Sequence, residues 1–133
     1  MQGPHLAIGG VAKATGVKVT TIRFYEQAGL MRAPPRSTGD RRLYDETDVA
    51  RLRFIRHARD LGFEMADVRT LLSLADHPTS PCAEADAIAR GHLRAVDAKI
   101  AALQSLRTEL ARMADCCDQD TAAHCRVLES LGR

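Results

Sequence analysis

The chain has 133 residues, a formal net charge of +2, four cysteines and no Trp. That size suits one compact domain with an appended helix, and so few aromatic side chains speak against a large aromatic-lined ligand cavity. Residues 1–63 carry eleven Lys and Arg against six Asp and Glu, a net of +5, and residues 64–133 carry eight against eleven, a net of −3. The front half suits a polyanion and the back half does not. No secretory pattern opens the chain, and no apolar stretch approaches the roughly 20 residues of a membrane helix. The expectation is a cytoplasmic chain with no membrane partner. Thiols stay reduced there, so the cysteines read as metal ligands or redox centres rather than disulfides.

In chain order, the first helical pattern runs over 8–15, with Ile8, Val11 and Ala12 on one face and Gly16 as its stop. A second is predicted over 20–28 and closed by Gly29. The short link between them makes the pair a helix-turn-helix. Ile22, Phe24 and Leu30 are expected in the core. From Arg32 to Tyr44, Pro34, Pro35 and Gly39 forbid a helix, which leaves a small hairpin or wing. Asp45 and Asp48 resemble a capping pair for a third helix bearing Val49, Leu52, Ile55 and Ala58 and ending at Gly62. A fourth helix is expected over 64–75, with Met65, Val68, Leu71 and Leu72 inward, before the break at His77–Pro81.

From Cys82 to about Asp115 the only Gly or Pro is Gly91. Leu93, Val96, Ile100, Leu103, Leu106, Leu110 and Met113 recur at steps of three and four, a coiled-coil-like seam on one long helix. That helix is roughly 50 Å long. Such a stripe exceeds what a head of this size covers, and a second copy of the chain is the simplest partner. A loop and a short helix carrying Val127, Leu128 and Leu131 complete the chain.

Ile8-Gly9, Ala12-Lys13, Thr21-Ile22-Arg23-Phe24-Tyr25-Glu26, Gly29-Leu30 and Arg42-Leu43-Tyr44 together resemble the winged-helix head of the MerR family. Asp67-Val68-Arg69-Thr70-Leu71-Leu72 resembles that family's fourth helix. Gly10 and Asp40-Arg41 depart from the usual pattern. The resemblance implies a mainly α protein with three parts. Residues 1–76 would be a winged-helix DNA-binding head and 77–115 a linker and antiparallel coiled-coil dimerisation helix. Residues 116–133 would be a metal-binding loop with a C-terminal helix. It implies a transcription regulator, not an enzyme. A homodimer would sit on double-stranded promoter DNA with dyad symmetry and distort it so that RNA polymerase can read it.

In a helix-turn-helix the early residues of the second helix reach base edges, here Val19, Thr20, Thr21 and Arg23. Arg pairs bidentately with guanine. Tyr25 suits the sugar–phosphate backbone through its hydroxyl, and Arg36, Arg41, Arg42 and Tyr44 on the wing suit phosphates. Arg53 and Arg56 are further candidates.

Cys82 stands at the start of the long helix, Cys116 and Cys117 at its end, and Cys125 eight residues after Cys117. Cys82 and Cys117 of one chain lie roughly 50 Å apart along the helix and cannot share an ion. In an antiparallel dimer, Cys82 of one chain approaches Cys117 and Cys125 of the other, giving two equivalent sites. Three thiolates with room for nitrogen or oxygen suit zinc, cadmium, lead or mercury. Cys116 and His124 are additional candidate donors. The resemblance points to the zinc/cadmium/lead-type sensors. A mercury(II) sensor and a thiol redox sensor of the same fold are the alternatives. No Glu-bearing motif supports a metal-dependent hydrolase.

Overall fold

The computed structural model describes residues 5–35, 39, 42–114 and 121–132. Among these it is mainly helical: α1 (Ile8–Thr15), α2 (Val19–Gln27), α3 (Glu46–Asp60), α4 (Met65–Asp76), α5 (Ala83–Ala114), a single 3-10 turn (Ala122–His124) and α6 (Arg126–Leu131). The mainly α class expected from the sequence is the class found, although α2 begins and ends one residue earlier than its pattern suggests. The chain divides into two compact units, Met1–Ala85 and Asp86–Arg133.

The first unit holds the core. α1 stops because Gly16 takes φ 73°, a left-handed conformation that costs Gly little, and its N–H donates to the Ala12 carbonyl. A Cβ at Gly16 would meet the Arg56 guanidinium, the movable end of a long side chain, so it is the positive φ that favours glycine there. After α2, the Leu30 and Met31 N–H groups both donate to the Tyr25 carbonyl, at 2.9 and 3.3 Å. α3 starts at a capping box: the Asp45 carboxylate accepts from the Asp48 N–H and the Asp48 carboxylate from the Asp45 N–H, both at 3.0 Å.

Val11, Ile22, Leu30, Leu52, Ile55 and Val68 are almost wholly buried and draw α1 to α4 into one cluster. The expected wing is tied down at its base. Leu6 and Tyr44 form an antiparallel bridge through two 2.8 Å hydrogen bonds, and the Leu43 N–H donates to the Pro35 carbonyl at 2.9 Å.

The second unit is built differently. Most of the long α5 lies in it, and Met113 is its one buried apolar side chain among the described residues. Leu93, Ile100, Leu103, Leu106 and Leu110 stand 48–63% exposed.

Candidate nucleic-acid interface and thiol ligands

α2 turns Ile22 and Tyr25 inward and leaves Thr20, Arg23, Phe24 and Gln27 exposed, with Thr21 half-buried. Phe24, expected in the core, is a correction: it is 55% exposed. Two residues from Ile22, it sits on the opposite side of a helix with 3.6 residues per turn. The outward face of α2 is therefore Thr20, Arg23, Phe24 and Gln27: two hydrogen-bonding side chains, one cation and one flat apolar ring.

Tyr25 and Tyr44 are not surface groups. Tyr25 is only 8% exposed and its ring tilts against that of Phe24, with centroids 6.0 Å apart. Tyr44 is fully buried and its hydroxyl donates to Glu26. Arg42 donates to the other Glu26 oxygen at 2.5 Å. Burial, and then the neighbouring Glu26 carboxylate, push the Tyr44 hydroxyl up to about 12. Sequence reasoning missed Glu26 as the acceptor that joins α2 to the wing base. The available signal was an acid ending the Thr-Ile-Arg-Phe-Tyr-Glu run and facing a wing rich in Arg.

Arg36 and Arg41 lie outside the described residues. Arg32, at the other end of the wing, donates to Asp48 at 2.8 and 2.9 Å and to Asp45 at 3.1 Å. The Asp48 contact in particular raises the Arg32 pKa. Arg53 and Arg56 cross from α3 to the C-terminal carbonyls of α1, Arg53 to Ala14 at 3.4 Å and Arg56 to Thr15. These guanidiniums complement the negative end of that helix.

Cys82 is exposed and directly precedes α5, and Cys125 is half-buried at the N-cap of α6; both are thiols. Cys116 and Cys117 and the side chain of His124 lie outside what is described. Among the described residues of one chain, no three His, Cys, Asp or Glu side chains converge into a metal cage. No helix of those residues is long and apolar enough to cross a membrane.

The family model described as MerR HTH family regulatory protein matches residues 6–75, and the model described as MerR, DNA binding matches 49–113. The chain belongs to the MerR family. Like its relatives, this MerR chain is a DNA-binding transcription regulator and not an enzyme. It is 42% identical over 127 residues to the HTH-type transcriptional regulator ZntR of Escherichia coli strain K12, covering 93% of this chain and 90% of that protein. It is 41% identical over 113 residues to the mercuric resistance operon regulatory protein of Shigella flexneri, covering 85% and 77%. Among solved structures it resembles the transcription regulator PbrR691 from Ralstonia metallidurans CH34 in complex with lead(II). That match has a TM-score of 0.81 and 39% identity and covers 95% of this chain and 98% of the other.

Proposed function

We propose that this MerR chain is a cytoplasmic, metal-responsive regulator. It binds a dyad-symmetric promoter operator as a homodimer and activates metal efflux or resistance genes when a soft divalent ion, zinc, cadmium or lead, is bound. The observation that carries the reading is the pairing of thiols at the start of α5 and of α6 with full-length similarity to a lead(II)-bound regulator. Residues 1–76 serve as the head, 77–115 as linker and dimerisation helix, and 116–133 as the metal-binding end.

The exposed apolar stripe of α5 supports dimerisation through an antiparallel coiled coil. The lack of a three-donor cluster among the described residues of one chain is compatible with a site shared between two. In this reading Cys82 acts with Cys117 and Cys125 of the partner subunit, and Cys116 and His124 are available as further donors. Thiolates are the right ligands for such ions, and binding would displace the thiol protons. Thr20, Thr21 and Arg23 address bases, and Arg36, Arg41 and Arg42 address phosphates. Tyr25 and Tyr44 act from inside the head by holding α2 and the wing base in place. Distorted operator DNA would then be read by RNA polymerase. Mercury(II) is the second reading, favoured by the 41% identity to a mercuric resistance regulator.

The test is a competition titration of the reduced protein with zinc, cadmium, lead and mercury ions, read alongside transcription from a promoter with an over-long spacer. A divalent response that Cys82→Ser removes, with operator binding intact, is the expected result. A Cys82→Ser protein that responds like the unsubstituted one refutes the thiol site.

A further inference from the structure

Arg51 sits at a three-way junction inside the first unit. From α3, its Nε donates to the Leu30 carbonyl at 2.6 Å, where the chain leaves α2 for the wing. Its Nη1 donates to both carboxylate oxygens of Asp76, at 2.8 and 3.1 Å, on the last residue of α4. A carboxylate at the C-terminal end of a helix opposes the helix dipole, and the last turn of α4 carries no basic residue. Its compensating charge therefore comes from α3. Five residues separate Asp76 from Cys82, and that segment turns through the Ser80 N–H, which donates to the His77 carbonyl at 2.9 Å.

We infer that Arg51 is the positioning residue through which an ion held at Cys82 acts on the DNA-binding helices; this rests on the metal-responsive reading above. The guanidinium is a rigid planar fork, so its Nε and Nη1 donors keep a fixed separation and angle. A shift of the α4 end by about an ångström must therefore either break the Asp76 contact or carry the fork with it. If the fork moves, the Leu30 carbonyl moves, and with it the exit of α2. Leu30 is itself locked, being 1% exposed with its N–H on the Tyr25 carbonyl. A displacement there is transmitted to the helix that bears Arg23 rather than absorbed by a loop. A ligand shifts an equilibrium only by its differential affinity for the two states, so in this inference the Arg51 contacts to Leu30 and Asp76 are the ones that change between them. Neither Arg51 nor Asp76 belongs to the DNA-facing or thiol set.

The deciding experiment compares Asp76→Asn, Asp76→Glu and Arg51→Lys with the unsubstituted full-length protein. Four quantities are read: thermal unfolding, operator affinity without metal, affinity for lead(II), zinc(II) and cadmium(II), and the ratio of metal-induced to basal transcription. Asp76 is half exposed, so Asp76→Asn leaves the fold intact. Its operator and metal affinities stay within about threefold of the parent, while the induction ratio falls about tenfold, within the usual range of coupling between two sites. Asp76→Glu keeps the carboxylate and recovers most of the response. Arg51→Lys, which keeps the charge but loses the fork, does not. By linkage, the factor by which metal alters operator affinity equals the factor by which operator DNA alters metal affinity, and both are read in each variant. An Asp76→Asn protein with a lowered unfolding temperature but a parental induction ratio overturns the inference and leaves a purely structural ion pair. A parent protein that binds none of lead(II), zinc(II) and cadmium(II) overturns the function itself and this inference with it.

Discussion

The two units differ in where most of their apolar residues go, although Phe24, Phe54 and Leu61 of the first are exposed. In Met1–Ala85, Val11, Ile22, Leu30, Leu52, Ile55 and Val68 are at most 1% exposed. In Asp86–Arg133, leucines and isoleucines of equal hydrophobicity stand about half exposed along α5. Both patterns repeat at steps of three and four, so periodicity alone does not separate them. The difference lies in geometry. Four short helices pack around a common centre. A single helix of 32 residues has no second face to close on. The head completes its core within the chain, whereas α5 leaves its apolar face exposed in the single chain.

The sharpest way to break this contrast is to charge the α5 face. In the double substitution Leu103→Asp, Leu110→Asp, a dimer joined through this face loses four apolar side chains, each worth about 1.5 kcal/mol or more when buried. The total is about 6 kcal/mol, on the order of a 10⁴-fold weaker dissociation constant. Sedimentation should show monomers with full head helicity, and operator binding should fall with dimerisation. Persistence of a dimer would move the interface elsewhere. The counterpart in the head is Ile22→Ala. It removes a fully buried side chain and should cost about 2–5 kcal/mol of stability. Thermal unfolding should register that loss equally at all protein concentrations. The α5 variant should instead abolish the concentration dependence.

The same contrast explains which features were readable from the sequence. α1 was placed over 8–15 and α5 to within a residue at each end. Gly16 and the breaks around α5 are local signals, as is the Asp45–Asp48 cap of α3. Tyr44 was not legible, because its burial depends on Glu26, 18 residues earlier. A Tyr among arginines reads as a surface group until its hydroxyl is seen to have an acceptor inside the protein. Phe24 failed for another reason: the apolar run Ile22-Arg23-Phe24-Tyr25 offers three candidates for two inward positions, and the helix takes those three apart. Arg51 is of the Tyr44 kind, since its partners lie 21 and 25 residues away. The cysteines are legible as residue types and spacing, but a site is a property of packing, and Cys116 and Cys117 lie outside the described residues.

Tyr44 sharpens the picture of the head. Tyr44→Phe keeps the ring and removes the donor to Glu26, which should cost about 1–2 kcal/mol at neutral pH because a buried acceptor loses its partner. The pH dependence has a definite sign. The hydroxyl is pushed up from 10.0 to about 12 in the folded protein, so it favours folding fully below pH 10.0 and ceases to as pH rises through about 12. Denaturant midpoints should therefore fall more steeply between those values in the parent than in Tyr44→Phe. Equal slopes would place the phenol in solvent.

The smallest effect belongs to the α3 cap. Asp45→Ala removes the acceptor for the Asp48 N–H and one arm of the Arg32 contact. Loss of such a cap costs about 1 kcal/mol, with little added by the exposed ion pair. The Asp48 N–H, followed by the Arg32 charge, holds the Asp45 carboxyl below its usual 3.8. Its contribution is thus present above that value and lost as pH falls through the lower, folded one. Urea midpoints measured from pH 7 downward should converge for parent and variant in strong acid and stay apart at neutrality. A constant gap across that range would mean that the capping hydrogen bond, and not the charge, carries the effect. The start of α3 would then owe nothing to the Arg32 side of the wing.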